Sequence, residues 1–185
     1  MSEERPFTVQ FPKKPEIGDE IIVKGKLKPN ARVFSVNFIL PLPPPMVRSS
    51  SVPDSFVKNS SHGSGVCCNN GLDTANPSPP YIAYHFKTVF KDDGSSVVVQ
   101  NWKNLVWQQE VLGPNLWLKD RNRPFGLIFR FHHDTIRVFA EHTHHTPEYE
   151  FEYQVPLESI RTVQLWDDVE FVEEVTFRFR NVSRS

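Results

Sequence analysis

Four side chains with binding chemistry lie close together in sequence between positions 81 and 112. His85 and Asn101 offer hydrogen-bond donors and acceptors, Trp107 offers an aromatic face, and Glu110 offers a carboxylate. A sugar packs its C–H face on an aromatic ring, while its hydroxyls need several fixed donors and acceptors. We therefore interpret these four side chains as a candidate carbohydrate site.

The segment that must position them is expected to form three short strands joined by two turns. In the first strand, the two-residue period predicts an inward set and an outward set of side chains. The inward set is Ile82, Tyr84, Phe86 and Phe90, and the outward set is Ala83, His85, Lys87 and Val89. Asp92-Asp93-Gly94 is typical of a tight turn, so the β-branched run that follows predicts a hairpin carrying Asn101.

Trp107 and Glu110 belong to the third strand, which we expect over 105–112. They are three positions apart, and strict alternation would place them on opposite faces of the sheet. A bulge or a bend near Gln108-Gln109 would bring them together. The candidate site therefore depends on an irregular third strand.

An earlier strand, expected over 31–40, extends the face that carries His85. Phe34, Val36 and Phe38 alternate there with Ser35 and Asn37. If this strand neighbours the one at 81–90, Ser35 and Asn37 join the candidate carbohydrate site.

The rest of the chain also has the periodicity of strands, and the short PLESI stretch at 156–160 is the only candidate for a helical turn. This pattern predicts an all-β fold, a two-sheet antiparallel β-sandwich. Residues 41–80 are rich in Pro, Ser, Asn and Gly and lack apolar periodicity. They predict a disordered insertion within a single domain that spans 1–185.

Charge and composition exclude several classes of partner. The formal net charge of −1 lacks the basic excess of a nucleic-acid binder, and no apolar run reaches membrane-spanning length. The N-terminal MSEERPF stretch is charged and has no apolar core, so we expect a cytoplasmic protein. The adjacent Cys67 and Cys68 are interpreted as exposed thiols rather than as a redox or metal site.

Two chemical alternatives have less support than sugar binding. The histidines at 132, 133, 142, 144 and 145 suggest a metal, but no cysteine or carboxylate completes a familiar ligand spacing. Glu110 could act in a glycosidase with a second carboxylate, from Glu148, Glu150 or Asp168. No spacing favours one of these pairs. We therefore expect a non-enzymatic protein with no metal and no cofactor.

These motifs together resemble the galectin carbohydrate-recognition domain over nearly all of the chain outside 41–80. FSVNFIL at 34–40 is similar to the strand before the family's H-x-N-P-R strand, and HFKTVF at 85–90 stands where that strand belongs. VQN at 99–101 matches V-x-N, and WQQEVL at 107–112 matches W-x-x-E-x-R except at its last position. The runs at 125–131, 136–140 and 163–169 and the PLESI turn resemble the family's second half.

The resemblance implies a galectin-like jelly-roll sandwich that binds β-galactosides on one sheet without a metal. His85 would hydrogen-bond the axial galactose hydroxyl, and Asn101 a neighbouring hydroxyl. Trp107 would stack beneath the sugar ring, and Glu110 would meet the adjoining sugar.

The departures from the family pattern that matter for binding are Lys87, which stands in place of an asparagine, and Val89 and Leu112, which stand in place of arginines. Those arginines donate forked, charge-assisted hydrogen bonds, each of which contributes about 1.5–3 kcal/mol. We therefore expect the binding of ordinary lactose to be weak or absent. Lys87 could compensate by pairing with Glu110 or by meeting a negatively charged glycan.

Two functions follow from the resemblance. The first is a lectin with altered specificity for β-galactoside-containing glycans. The second is a galectin-fold protein that has lost sugar binding and acts through protein contacts, with the insertion at 41–80 as a contact segment. The resemblance also implies a homodimer through edge strands at 7–11 and 169–179 and export by a route that needs no signal peptide.

Overall fold

A computed structural model describes residues 5–42, 78–143 and 145–180. The strands are β1 Phe7–Gln10, β2 Glu20–Leu27, β3 Val33–Ile39, β4 Tyr81–Phe90, β5 Ser96–Asn104, β6 Val106–Trp107, β7 Val111–Pro114, β8 Phe125–Phe131, β9 Thr135–Ala140, β10 Tyr149–Glu152, β11 Thr162–Asp167 and β12 Val169–Arg178. The PLESI stretch forms a 3-10 turn at Leu157–Ser159, as predicted. None of the described residues belongs to a helix long and apolar enough to cross a membrane. The predicted insertion at 41–80 lies almost wholly outside the described residues.

The strands form two antiparallel sheets, which confirms the predicted all-β sandwich. Sheet A has the order β1-β11-β3-β4-β5, and β6 and β7 both pair with β5 and share the last position. Sheet B has the order β10-β9-β8-β2-β12. The inner faces of the two sheets enclose one main core, and we call the outer face of sheet A the polar face.

The core is built on aromatic side chains that alternate inward along the strands. Phe129 on β8 lies at its centre, with its ring centroid 5.2 Å from that of Phe38, 6.3 Å from Tyr84 and 5.8 Å from Phe86. All four side chains are completely buried. Their edge-to-face contacts tie β3 and β4 of sheet A to sheet B and so fix which face of each strand is left outside.

A bulge interrupts the predicted alternation at the start of β4. Phe38 pairs with Tyr84, but the next residue, Ile39, pairs with Ile82, so Ala83 is an extra residue on β4. Ala83 is completely buried and belongs to the main core. The prediction that Ala83 faces outward is therefore wrong, because a sequence period cannot show an inserted residue.

The two predicted turns are present around β5. Gly94 has φ +82° in the turn between β4 and β5, where its missing side chain avoids strain. Leu105 has φ +62° in the turn between β5 and β6. The expected third strand is split, because Gln108–Glu110 separates β6 from β7. The predicted irregularity near Gln108-Gln109 is confirmed.

Replacing the central core ring should destabilise the whole sandwich. We expect Phe129→Ala to lower the free energy of unfolding by about 3–5 kcal/mol, because it leaves a cavity where three rings meet. Phe171→Ala is the matched control. The Phe171 ring on β12 is 47% exposed, so its removal should lower the free energy of unfolding far less. Urea unfolding of both variants measures the difference, and similar losses would contradict a core centred on Phe129.

Candidate functional site

The predicted polar side chains form a row across four strands of sheet A. Gln164 on β11 pairs with Asn37 on β3, Asn37 pairs with His85 on β4, and His85 pairs with Asn101 on β5. We call these four residues the central row. Because directly opposite residues share a face, the register places all four on the polar face.

Hydrogen bonds within the central row fix the imidazole of His85. His85 Nδ1 lies 2.5 Å from Asn37 Oδ1, and Asn37 Nδ2 donates to Gln164 Oε1 at 3.0 Å. Asn37 Oδ1 can only accept, so the imidazole proton lies on Nδ1. Nε2 is therefore the acceptor nitrogen of His85, with its direction set by the row.

The surroundings of His85 keep the ring neutral. Burial lowers the pKa of His85 from 6.5 to about 3, with further lowering by the positive charges of Lys87 and Lys103. His85 is only 7% exposed. A neutral imidazole with an acceptor Nε2 suits the hydroxyl of a ligand rather than an anionic group.

Asn101 is fully buried, and its side chain holds the chain where the third strand is interrupted. Asn101 Nδ2 donates to the carbonyl of Gln108 at 3.2 Å, and Asn101 Oδ1 accepts from the backbone N–H of Trp102 at 2.8 Å. Gln108 Nε2 in turn donates to the carbonyl of Val106 at 2.9 Å. These bonds shape the segment between Trp107 and Glu110.

Trp107 lies beside the central row and is half-buried. Its ring centroid is 4.6 Å from that of His85, with the two planes inclined at 51°. Lys103 Nζ lies 5.2 Å from the Trp107 ring and donates to Ser78 Oγ at 2.6 Å. The structure therefore brings together the predicted Trp107 and His85 and adds a cation that the sequence did not single out.

A second row runs across the same face on the other side of His85. It contains, from β11 to β7, Trp166, Ser35, Lys87, Val99 and Leu112. Ser35 Oγ donates to Asp167 Oδ2 at 2.6 Å, and Ser35 is only 2% exposed. Lys87 is half-buried and Leu112 is 63% exposed.

The seven predicted site residues differ in how deeply they are buried. Ser35, Asn37, His85 and Asn101 are each less than a tenth exposed, so internal hydrogen bonds occupy most of their polar atoms. Lys87, Trp107 and Glu110 are half-buried, and Glu110 lies in the break between β6 and β7. The register confirms the predicted shared face for six of the seven residues: Ser35, Asn37, His85, Lys87, Asn101 and Trp107. Glu110 lies outside the paired strands, so its place on this face stays a prediction.

Three residues of this face were missed by sequence reasoning. Gln164 and Trp166 alternate along β11, and Lys103 follows Asn101 by two positions on β5. Two-residue periodicity places each of them on the polar face once its strand is known to belong to sheet A. That membership depends on long-range pairing, which a local pattern does not contain.

The structure does not support a metal centre in the part of the chain that it describes. No three His, Cys, Asp or Glu side chains lie close enough together there to hold an ion. His142 and His145 are exposed, while His144, Cys67 and Cys68 lie outside the described residues.

The protein is a two-sheet antiparallel β-sandwich whose sheet A carries polar and aromatic side chains on its outer face. Residues 66–177, more than half of the chain, match the model of the galactoside-binding lectin family. The chain therefore belongs to this family, as a divergent galectin carbohydrate-recognition domain.

Solved galectins share this fold at low sequence identity. Sheep galectin-11 has a TM-score of 0.61 and 15% identity, over 96% of this chain and 100% of its own. Galectin LEC-6 of Caenorhabditis elegans has a TM-score of 0.64 and 15% identity, over 95% of this chain and 92% of its own. Galectin-Ib of Xenopus laevis has a TM-score of 0.61 and 14% identity, over 94% of this chain and 100% of its own. A sequence comparison with curated proteins gives no match.

The depressed pKa of His85 predicts a specific dependence of stability on pH. The unfolded chain binds a proton on this ring below pH 6.5, whereas the folded chain binds it only near pH 3. Lowering the pH from 6.5 to about 3 should therefore reduce the free energy of unfolding by a few kcal/mol through this group. Above pH 6.5 the group should not change the stability.

His85→Gln removes the titration while keeping a side chain that can donate to Asn37 Oδ1. We expect the stability of the variant to decline less steeply than that of the wild type between pH 6.5 and 4. Chemical unfolding at several pH values measures the two slopes. Parallel slopes would show that His85 titrates normally in the folded protein.

Proposed function

We propose that the protein is a non-enzymatic carbohydrate-binding protein of the galectin type, whose binding of β-galactosides is atypical or weakened. The observation that carries this proposal is the neutral imidazole of His85, held by Asn37 and placed beside the half-buried ring of Trp107. One group offers an oriented acceptor, and the other offers an apolar surface. A sugar needs both at the same place.

The proposed binding mode assigns different tasks to the predicted residues. Trp107 would pack against the C–H face of the sugar, and His85 Nε2 would accept from a hydroxyl. Ser35 and Asn37 would act indirectly, because their polar atoms already bond to Asp167, Gln164 and His85. Asn101 would hold the chain at the strand break. Because Asn101 is completely buried, it would hydrogen-bond a sugar only if the sugar displaced the groups that cover it.

The charges around the site favour an anionic glycan over plain lactose. Lys87 and Lys103 stand on the two sides of His85, and both lower its pKa through their positive charge. Leu112 and Val89 offer no hydrogen bonds from their side chains at the positions of the family arginines. We therefore propose a β-galactoside-containing glycan with a sulfate or carboxylate near Lys87, because a charge-assisted bond there would offset part of the missing donors.

A glycan array followed by titration calorimetry tests this function. We expect sulfated or sialylated galactosides to bind on the array. Trp107→Ala should lower the affinity for these glycans by about tenfold or more, because it removes the stacking surface. Trp107→Phe is the matched control, since it keeps a ring. Lys87→Ala should weaken anionic hits more than neutral ones. An empty array, or hits that Trp107→Ala leaves intact, would contradict the proposal.

Leu112→Arg tests whether the missing arginine explains the expected weakness towards lactose. Leu112 is 63% exposed, so the larger side chain can be accommodated without disturbing the core. One charge-assisted hydrogen bond contributes about 1.5–3 kcal/mol, so we expect lactose affinity to rise by about tenfold to a hundredfold. Calorimetry with lactose measures the gain, and Leu116→Arg, also exposed, is the control. An unchanged affinity would show that Leu112 does not limit binding.

A second candidate function is supported by the burial of the central row. His85 is 7% exposed and Asn101 is completely buried, and the Trp107 ring packs against His85. A face closed in this way favours a galectin-fold protein that has lost sugar binding and acts through protein contacts. An empty array together with a specific protein complex would support this alternative.

A further inference from the structure

A cleft of about 370 Å³ opens on the edge of the sandwich, away from the polar face. It lies between β5 and β7 of sheet A and β10 of sheet B, and its lining includes Trp102, Gln109, Val111, Phe151 and Glu152. None of the residues assigned to the sugar site lines it. The cleft is therefore a separate feature of the molecule.

The lining of this cleft is mixed, with apolar side chains from Trp102, Val111 and Phe151 and polar ones from Gln109, Glu150, Glu152 and Gln154. Trp102 is half-buried and packs against the main core, and Phe151 is only 7% exposed. Val111 stands at the mouth and is 48% exposed. An apolar side chain from another molecule would contact mainly Trp102 and Val111 here, with Phe151 beneath them.

The strand on one side of the cleft has an open edge. Among the described residues, β10 pairs with β9 alone. Tyr153 N donates to Asp134 O, in the register that pairs Phe151 with Ile136. Bonded pairs alternate in an antiparallel ladder, so the backbone groups of the alternate residues Glu150 and Glu152 point away from β9. Gln154 Nε2 donates to the Glu152 carbonyl at 3.3 Å.

The side chains along this edge have a clear alternation of chemistry. Tyr149 and Phe151 are 7% exposed and face the core, while Glu150 and Glu152 are exposed on the outer face. Glu150 Oε1 lies 3.2 Å from Arg137 Nε and accepts from Thr135 Oγ1 at 2.9 Å, so Glu152 carries the less compensated charge of the two. Residues opposite each other in a sheet share a face. An added strand would therefore place alternate residues over the cleft and the others opposite the two glutamates.

From this geometry we propose that β10 is a docking edge for an extended segment of a partner protein in which basic and apolar residues alternate. The segment pairs with the open backbone groups of Glu150 and Glu152. Its apolar side chains enter the cleft over Trp102 and Phe151, and its lysines or arginines lie opposite the glutamates. The commitment to a basic partner rests on charge complementarity along this edge.

A synthetic peptide tests the proposal on the full chain. The probe is a capped, fluorescently labelled peptide in which lysine and valine alternate, and its binding is followed by fluorescence anisotropy at low salt. The expected result is saturable binding that shifts the NMR signals of the Glu150 and Glu152 amides and of the Trp102 indole. A peptide of the same composition N-methylated at alternate residues should lose this binding, because it cannot donate to the strand edge.

Charge reversal separates this edge from the rest of the surface. Glu152→Lys should weaken the peptide by about tenfold or more, because a like charge would face the peptide's lysines. Glu173→Lys, the same change at an exposed position of β12, is the matched control and should have little effect. Equal effects of the two variants, or equal binding of the N-methylated peptide, would overturn the proposal.

Two further outcomes would also overturn it in favour of another occupant. Displacement of the peptide by a glycan that the polar face binds would place the peptide on that face. A dimer that sedimentation detects and Glu152→Lys abolishes, with no peptide binding, would assign the edge to a second copy of the chain. The proposal and the sugar-binding function can therefore fail independently.

Discussion

The register between β3 and β4 is the constraint on which the polar face depends. It places Asn37 opposite His85, and the bond between them fixes both the tautomer and the direction of the imidazole. A shift by one residue would turn the same side chains into the core and expose the phenylalanines between them. The aromatic contacts of Phe38 and Phe86 with Phe129 oppose such a shift. The core thus sets the geometry of the site by fixing the register.

The parts of this structure that the sequence predicted are those governed by a local period. The alternation of Phe34, Val36 and Phe38 correctly predicted which face of β3 packs into the main core, and Asp92-Asp93-Gly94 correctly predicted the hairpin. These features need only neighbouring residues, because the two-residue period of a strand and the φ preference of glycine are local properties.

The features that the sequence did not predict all depend on distant parts of the chain. The bulge at Ala83 follows from how β4 meets β3 and β5 at once. His85 is covered in part by Trp107, which packs against it from β6. Gln164 enters the central row only because β11 lies next to β3, although many residues separate them in sequence. A local sequence pattern carries no information about pairing between distant strands. The sequence therefore predicted which side chains share the polar face, but not how deeply they are buried.

Two adjacent residues of β5, Asn101 and Trp102, belong to the two different surfaces described above, the polar face and the edge cleft. Asn101 lies in the central row, while Trp102 faces the opposite side and packs against the core beside the edge cleft. The Asn101 side chain bonds both the Trp102 N–H and the Gln108 carbonyl, so one buried amide braces β5 against the strand break that carries Trp107 to its position. A change at Asn101 would disturb both surfaces through the backbone, whereas a change at the exposed Glu152 or Leu112 alters one surface alone. Neighbouring residues of one strand thus belong to the polar face and to the lining of the edge cleft, and both surfaces rest on the same core.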